Sequence, residues 1–490
     1  MFTGSAWMIG MRWTIRGIGL VSTVILARLL HPSDFGLLAM AMLVVSFLEV
    51  FGETGQRLAI IRHAAPDREL LDTAWTLSVC QGVLLASAML CLAPYAAAYF
   101  HEPRIAPLIR FLSLRAFIGG FENIAIIRFR RELEFANDFR FNVYQKLSMF
   151  ITTLTLALYF RTYWALAAGI VVGRVLSTIL SYRMVPYRPR LSVARLREIW
   201  GFSNWMLFVH LGDLFQRKTS EFIVARVFGT TSMGVFTMAD DLATSPTVEL
   251  AVPASRALFS SYARLAHDRL ALARSFLSSL SAMTALCASI GVGVALVADD
   301  LVPLVLGAQW TQAAPLLPWL ALAGIMSAIM STTLTVLNVD GRARTAAALV
   351  WTRNLTVTLL VGWTALSVGR LEPVAAAQTA ALILLLPASF WVTTRVMAVS
   401  WRDLFDALAS PVAAATIMTV AVWLVPSSIT PGLPRLAARA AVGSVSYVLC
   451  LAALWHWRGR PAGLEAMVYA RLSEFVRRSN AASRSNESRV

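Results

Sequence analysis

Four side chains, His210, Asp213, Arg217 and Glu221, follow one another at steps of three, four and four. On a helix they share one face for about three turns, with Lys218 beside it. Such a face can bind an ion, relay a proton or grip an anionic ligand. Arg12 and Arg16 stand one turn apart, as do Glu49 and Glu53. Asp240, Asp241, Ser245 and Glu249 add a second acidic set, and Arg115, Arg174 and Arg353 add single cations with Glu122 and Asn354 nearby in depth or sequence. No enzyme constellation accompanies them. The chain has only two lysines, Lys146 and Lys218, and no phosphate-binding G-x-x-x-x-G-K-[ST] run, which argues against ATP hydrolysis within it. The six histidines lack ligand spacing, and Cys80, Cys91, Cys287 and Cys450 all sit in apolar stretches. The expectation is a protein that is not an enzyme and has no cofactor or metal.

The elements that must position these charges are membrane helices. Of 490 residues, 58% are hydrophobic and 14% charged, a balance that suits no soluble domain of this length. Apolar stretches of about 20 residues, the length that crosses a bilayer, recur from Trp7 to Trp457. Fourteen spans result: 7–29, 35–56, 74–98, 107–128, 140–160, 163–184, 203–228, 231–254, 277–299, 312–337, 345–366, 372–396, 408–425 and 436–456. The first run is too long for a cleavable signal and holds Arg12 and Arg16. The fold class is therefore all-α and polytopic. The net charge of +16 comes almost wholly from arginine. Arginine clusters fill alternate gaps, as at Arg128 to Arg140, Arg183 to Arg197 and Arg256 to Arg274, so those gaps and both termini are expected in the cytoplasm of an inner-membrane protein. The positive charge then reads as topology signal and contact to anionic lipid, not as a nucleic-acid surface.

The chain also repeats itself. Ala27-Arg28, Gly36, Met40 and Ala41 match Ala225-Arg226, Gly234, Met238 and Ala239 at one constant offset, each set at the turn after an odd-numbered span. Six spans separate the copies. An even number keeps their orientation, so two parallel lobes related by an axis along the membrane normal are expected, with a substrate site between them. The expected divisions are 1–184 for the first lobe, 185–202 for a linker with an interfacial helix, 203–398 for the second lobe, 399–456 for two added helices and 457–490 for a basic cytoplasmic tail. That tail lies on the membrane surface or is simply solvated.

Depth counting at about 1.5 Å per residue sets Arg12 level with Glu49, Arg16 near the midplane, and Arg217 and Lys218 level with Asp240 and Asp241. Two readings stay open for each set: mutual neutralisation between neighbouring helices, or a water-filled cavity for an anion.

The segments Leu30-His31-Pro32-Ser33-Asp34-Phe35-Gly36-Leu37-Leu38-Ala39-Met40 and Phe51-Gly52-Glu53-Thr54-Gly55 resemble the start of Wzx-type polysaccharide flippases. So do Phe228-Gly229-Thr230-Thr231-Ser232-Met233-Gly234-Val235-Phe236 and the run from Pro253 to Leu265. These flippases belong to the multidrug/oligosaccharidyl-lipid/polysaccharide (MOP) exporter superfamily, and the resemblance covers roughly residues 5–400. It implies alternating-access translocation of an undecaprenyl-diphosphate-linked oligosaccharide for exopolysaccharide, capsule or O-antigen (lipopolysaccharide) synthesis. Membrane lipids, a polysaccharide polymerase and export machinery are the implied partners. A cationic central cavity is also implied; Arg12, Arg16, Arg217, Lys218, Arg174 and Arg353 are the positions that would serve. Glu49, Glu53, Asp213, Glu221, Asp240 and Asp241 would be charge partners or ion-coupling sites. Their number is the departure from a purely cationic cavity.

The competing expectations are a cation-coupled drug exporter of the same superfamily, a peptidoglycan-precursor flippase, and a polymerase or ligase. The buried arginines argue against the first. The last usually needs a long external loop, and no outside gap exceeds roughly twenty residues, too short for a folded domain. The topology is directly testable. Reporter fusions active only in the periplasm should be bright after Thr230 and Ala308 and dark after Arg190 and Arg264; a bright fusion at Arg190 would overturn the orientation.

Overall fold

A computed structural model of the chain describes residues 2–52, 60, 67–132, 134–196, 203–397, 399–426 and 428–458. Those residues are helical with short connections, and no strand occurs among them. In order the helices are α1 (Phe2–Leu29), α2 (Pro32–Gly52), α3 (Arg68–Phe100), α4 (Ile105–Gly120), α5 (Phe135–Phe160), α6 (Tyr163–Met184), α7 (Ser203–Leu265), α8 (Arg269–Leu296), α9 (Ala298–Val305), α10 (Leu317–Val339), α11 (Ala343–Val368), α12 (Leu371–Met397), α13 (Trp401–Trp423) and α14 (Leu433–Trp457). Starts follow capping chemistry: Asp67 accepts from the Leu70 N–H, Asp268 from Leu270 and Ala271, and Ser400 with Asp403 forms a capping box.

All fourteen expected spans fall on these helices. α7 covers two of them and bends at Gly229, whose φ of 78° is open to glycine and strained for other residues. The fourth span is shorter than expected. Its helix stops at Gly120, and Ile124–Ile127 forms a separate 3-10 turn. Buried Asn123 holds that break: its Nδ2 donates to the carbonyls of Ser181 (3.2 Å) and Val185 (2.8 Å), and its Oδ1 accepts from Ala125 (3.0 Å). Among the described residues nine helical stretches are long and apolar enough to span a membrane. The other long helices are α1, α4, α5 and α11, which carry Arg16, Arg115, Lys146 and Arg353.

The linker departs from expectation. Residues 186–193 are not helical. Pro186 and Pro189 explain this, since each removes an N–H and restricts the residue before it. The strap is pinned along the first two turns of α3. Tyr187 donates to the Asp72 carboxylate, the Arg190 N–H donates to Asp72 (3.0 Å), and the Ser192 N–H donates to Thr76 Oγ1 (3.0 Å). Arg195 pairs with Asp67 at 3.0 Å. Burial, then the Asp72 carboxylate, push the Tyr187 phenol above its usual range. The expected interfacial helix beyond Leu196, together with Glu53 and the tail from Gly459, lies outside the described residues.

The chain packs as two compact units. One holds Met1–Thr237, Val305–Trp310 and Ala365–Leu371; the other holds Met238–Leu304, Thr311–Thr364 and Glu372–Val490. Inside the first, the two sequence repeats touch at equivalent residues. A Cβ on Gly36 would collide with the Thr230 carbonyl, and a Cβ on Gly234 with the Pro32 carbonyl. The segment Val305–Trp310 joins the same end. Gln309 and Trp310 donate to the orphan carbonyls that finish α1, with Trp310 Nε1 2.8 Å from the Ala27 oxygen and Gln309 Nε2 2.9 Å from the Leu30 oxygen. Trp310 is fully buried, edge-on to Phe35. Arg226, the repeat counterpart of Arg28, lies over the Tyr99 ring and contacts His101.

In the second unit α14 is tied to α9 by charge. Asp300 is buried and accepts from Arg435 at 2.6 Å and Arg439 at 3.2 Å. Burial opposes its ionisation, but the arginines and the Gly432 N–H outweigh it and hold its carboxyl below the usual range.

The glycine crossing yields a stability expectation. Gly36→Ala and Gly234→Ala should each destabilise the detergent-solubilised protein by about 1–3 kcal/mol, the usual cost of overpacking. Gly10→Ala, where a Cβ meets nothing within 4 Å, should be neutral or mildly stabilising. Thermal unfolding followed by tryptophan fluorescence measures both; equal midpoints for all three would remove the crossing as a constraint.

Candidate functional site

Each charge near the middle of a helix must find compensation, and the structure provides it in different ways. Glu49 on α2 pairs with Arg115 on α4. The depth count had matched Glu49 to Arg12, but α4 brings Arg115 to it across the bundle; the Arg12 side chain lies outside the description. Arg174 on α6 pairs with Glu122 at 3.1 Å and donates to the Gly119 carbonyl at 3.2 Å, while Ser177 donates to the same carboxylate. Arg174 is thus part of an α4–α6 clamp beside the Asn123 break. This neutralised arrangement weakens its case as a bare cavity cation.

The polar face of α7 forms as its spacing indicates, yet it neutralises itself along the helix. Arg217 pairs with Asp213 at 2.9 Å, one turn back, and Lys218 pairs with Glu221 at 2.6 Å. Both cations therefore pair on their own helix, and Asp240 and Asp241, which depth places level with them, lie beyond Met238 in the second compact unit. The face also splits by exposure. The Arg217 and Asp213 side chains are 70% and 56% exposed, whereas Glu221 is 7% exposed. Depth and period could not foresee this, because burial is set by what packs against α7.

Arg16 and Lys146 form a different set. α1 packs on α5, and half-buried Lys146 lies within electrostatic reach of half-buried Arg16. The stem of Lys146 packs beside Gly19, where a Cβ would come 3.9 Å from Cε. Packing of α1 on α5 thus sets two like charges within electrostatic range of each other. Arg16 is among the site residues expected from the sequence, and Lys146 is not. The available signal was its rarity: one of two lysines, set inside a span.

Arg353 on α11 stands alone in a third way. It is 9% exposed and donates to Ser327 Oγ at 2.9 Å. No carboxylate lies within ion-pair distance of it among the described residues, and its pocket is far too small for a sugar-diphosphate head group.

The comparisons with known proteins concern the whole arrangement. A family model described as "Polysaccharide biosynthesis protein" matches residues 25–315. The chain is 26% identical over 343 residues to the lipopolysaccharide biosynthesis protein WzxC of Escherichia coli, with 67% of each chain covered. It is 24% identical over 314 residues to the succinoglycan biosynthesis transport protein ExoT of Rhizobium meliloti, with 64% of each covered, so the chain spans about two thirds of these relatives' lengths. Among solved structures, the lipid II flippase MurJ in an inward closed conformation aligns with a TM-score of 0.75 at 12% identity, over 93% of this chain and 99% of that one. An inward-facing MATE family transporter of the MOP superfamily aligns at 0.60 with 15% identity, over 78% and 94%. The likeness to the solved structures shows a fold shared with these multi-pass membrane proteins.

The split of the α7 face is testable in a cysteine-free background. Single cysteines at 213 and 217 should react with a charged, membrane-impermeant thiol reagent. Cysteines at 221 and 224 should react at least tenfold more slowly, Val224 being fully buried. Uniform reactivity around the helix would remove the polar face from any site.

Proposed function

We propose, from the premise that this chain belongs to the polysaccharide biosynthesis protein family, that it carries an undecaprenyl-diphosphate-linked oligosaccharide repeat unit from the inner to the outer leaflet of a bacterial inner membrane. Both termini are cytoplasmic in this reading. The observation that carries it is the placing of two half-buried cations, Arg16 and Lys146, on the packed helices α1 and α5. A diphosphate entering the bilayer leaves water at great cost unless fixed cations meet it. An anion held near both cations offsets the repulsion between them. Arg16 offers a planar fork for two phosphate oxygens, and Lys146 a mobile point charge.

Arg217 has a secondary role in this reading. Its exposed pair with Asp213 is neutral at rest, and it can exchange that carboxylate for a phosphate. The sugar head group crosses with the cations while the prenyl tail stays in lipid, and the lobes alternate their opening. A cationic drug is the wrong sign for an Arg16–Lys146 pair, which separates this reading from drug export. Glu49, bound to Arg115, and Asp240 and Asp241 remain the proposed ion-coupling acids.

Arg16→Ala and Lys146→Ala should each reduce polymer export at least tenfold with protein level and membrane insertion unchanged, and lipid-linked repeat units should collect on the inner leaflet. Arg16→Lys should keep part of the activity because charge survives while the fork is lost. Surface polymer and accumulated lipid-linked sugar are the two readouts. Normal export by both alanine variants would sink this site.

A further inference from the structure

Arg353 sits about ten residues inside α11, roughly 15 Å from the helix start. A buried guanidinium in a spanning helix is tolerated when an acid, a water-filled cavity or an anion faces it. No acid does so among the described residues. Its one hydrogen bond goes to a neutral hydroxyl, Ser327 Oγ on α10. Beside it is a pocket of about 10 Å³ lined by Arg353, Thr333 and Ser389 together with Met330, Leu334, Leu349 and Val350. Thr333 is 1% exposed, and its hydroxyl has no hydrogen-bond partner among the described residues. An unpartnered buried donor and an uncompensated buried cation thus line the same small space.

We infer that this pocket is a binding site for a single halide ion, chloride under physiological conditions. The space holds about one water-sized group. A monatomic anion fits it, whereas a phosphate, a sulfate or a sugar does not. The guanidinium supplies the charge and the Thr333 hydroxyl a donor that has no other acceptor. Ser389 already donates to the Leu385 carbonyl at 3.1 Å, so it lines the pocket without being required as a donor. The apolar remainder keeps the site dry, which strengthens both contacts. The site lies wholly within the second compact unit, formed by α10, α11 and α12. It is independent of the Arg16–Lys146 reading.

The test uses the full chain in detergent. Thermal unfolding is followed in sodium gluconate, with chloride, bromide or sulfate titrated in at constant ionic strength. Chloride and bromide should raise the midpoint by several degrees and saturate, as linkage to a site in the folded state requires; sulfate should not. Arg353→Met should abolish the halide response, and Thr333→Val should weaken apparent halide affinity at least tenfold. Crystals grown in bromide should show anomalous density within the pocket. The inference is overturned by equal midpoints in gluconate and chloride, by a full chloride response in Arg353→Met, or by water alone in the pocket. Should Arg353→Met fail to fold, Thr333→Val decides: unchanged chloride affinity there overturns the site. A response lost in Arg16→Ala but kept in Arg353→Met would also overturn it, while leaving the Arg16–Lys146 reading intact.

Discussion

A charge in hydrocarbon must be compensated, and much of this architecture follows from that constraint. An ion held alone at the centre of a spanning helix costs several kcal/mol or more. The chain meets the requirement by placing acids opposite cations. Arg115 with Glu49 joins α4 to α2, Arg174 with Glu122 joins α6 to the end of α4, and Lys218 with Glu221 is closed along α7. Pairs of this kind are poor sources of net stability, but breaking one is expensive, so they fix which helices face each other. On the packed helices α1 and α5, Arg16 and Lys146 instead lie within electrostatic reach of one another.

The second organising feature is the meeting of the two repeats. Gly36 and Gly234 come so close that neither tolerates a Cβ. Each repeat also reaches toward the connection after an apolar helix elsewhere in the chain: the end of α1 is capped by Gln309 and Trp310, and Arg226 engages Tyr99 and His101. The contacts of Gly36 with Thr230 and of Gly234 with Pro32 are reciprocal in sequence position. Duplication produces this pattern, since a surface that packs on its own copy needs only one set of complementary residues. The price of the close approach is the loss of any side chain at the two glycines.

The strap after α6 shows a softer solution at another connection. Two prolines keep it from forming a helix, which leaves its N–H groups without helical partners. Asp72 and Thr76 on α3 accept two of them. The same residues that break the helix therefore dictate that a neighbouring helix carry polar groups at matching positions, and α3 begins with such a face at Asp72, Thr73 and Thr76.

Much of this was legible in the residues alone. Apolar runs long enough to cross a bilayer specified the helices and their number, because hydrocarbon leaves the backbone no other partner. The period of Asp213, Arg217 and Glu221 specified a polar face, and the Ala27–Ala41 repeat located the two copies that meet. Pro186 and Pro189 are local signals in the sequence against a helix in the linker. What spacing along one helix could not specify was partnership across helices. Glu49 finds Arg115, Arg174 finds Glu122, Lys146 comes within electrostatic reach of Arg16 and Arg353 finds the Ser327 hydroxyl, and each outcome depends on the rotation and neighbour order of the helices. Depth follows from counting residues from a membrane edge and so belongs to the sequence; the direction a side chain faces at that depth is set by packing, and only the tertiary structure decided it.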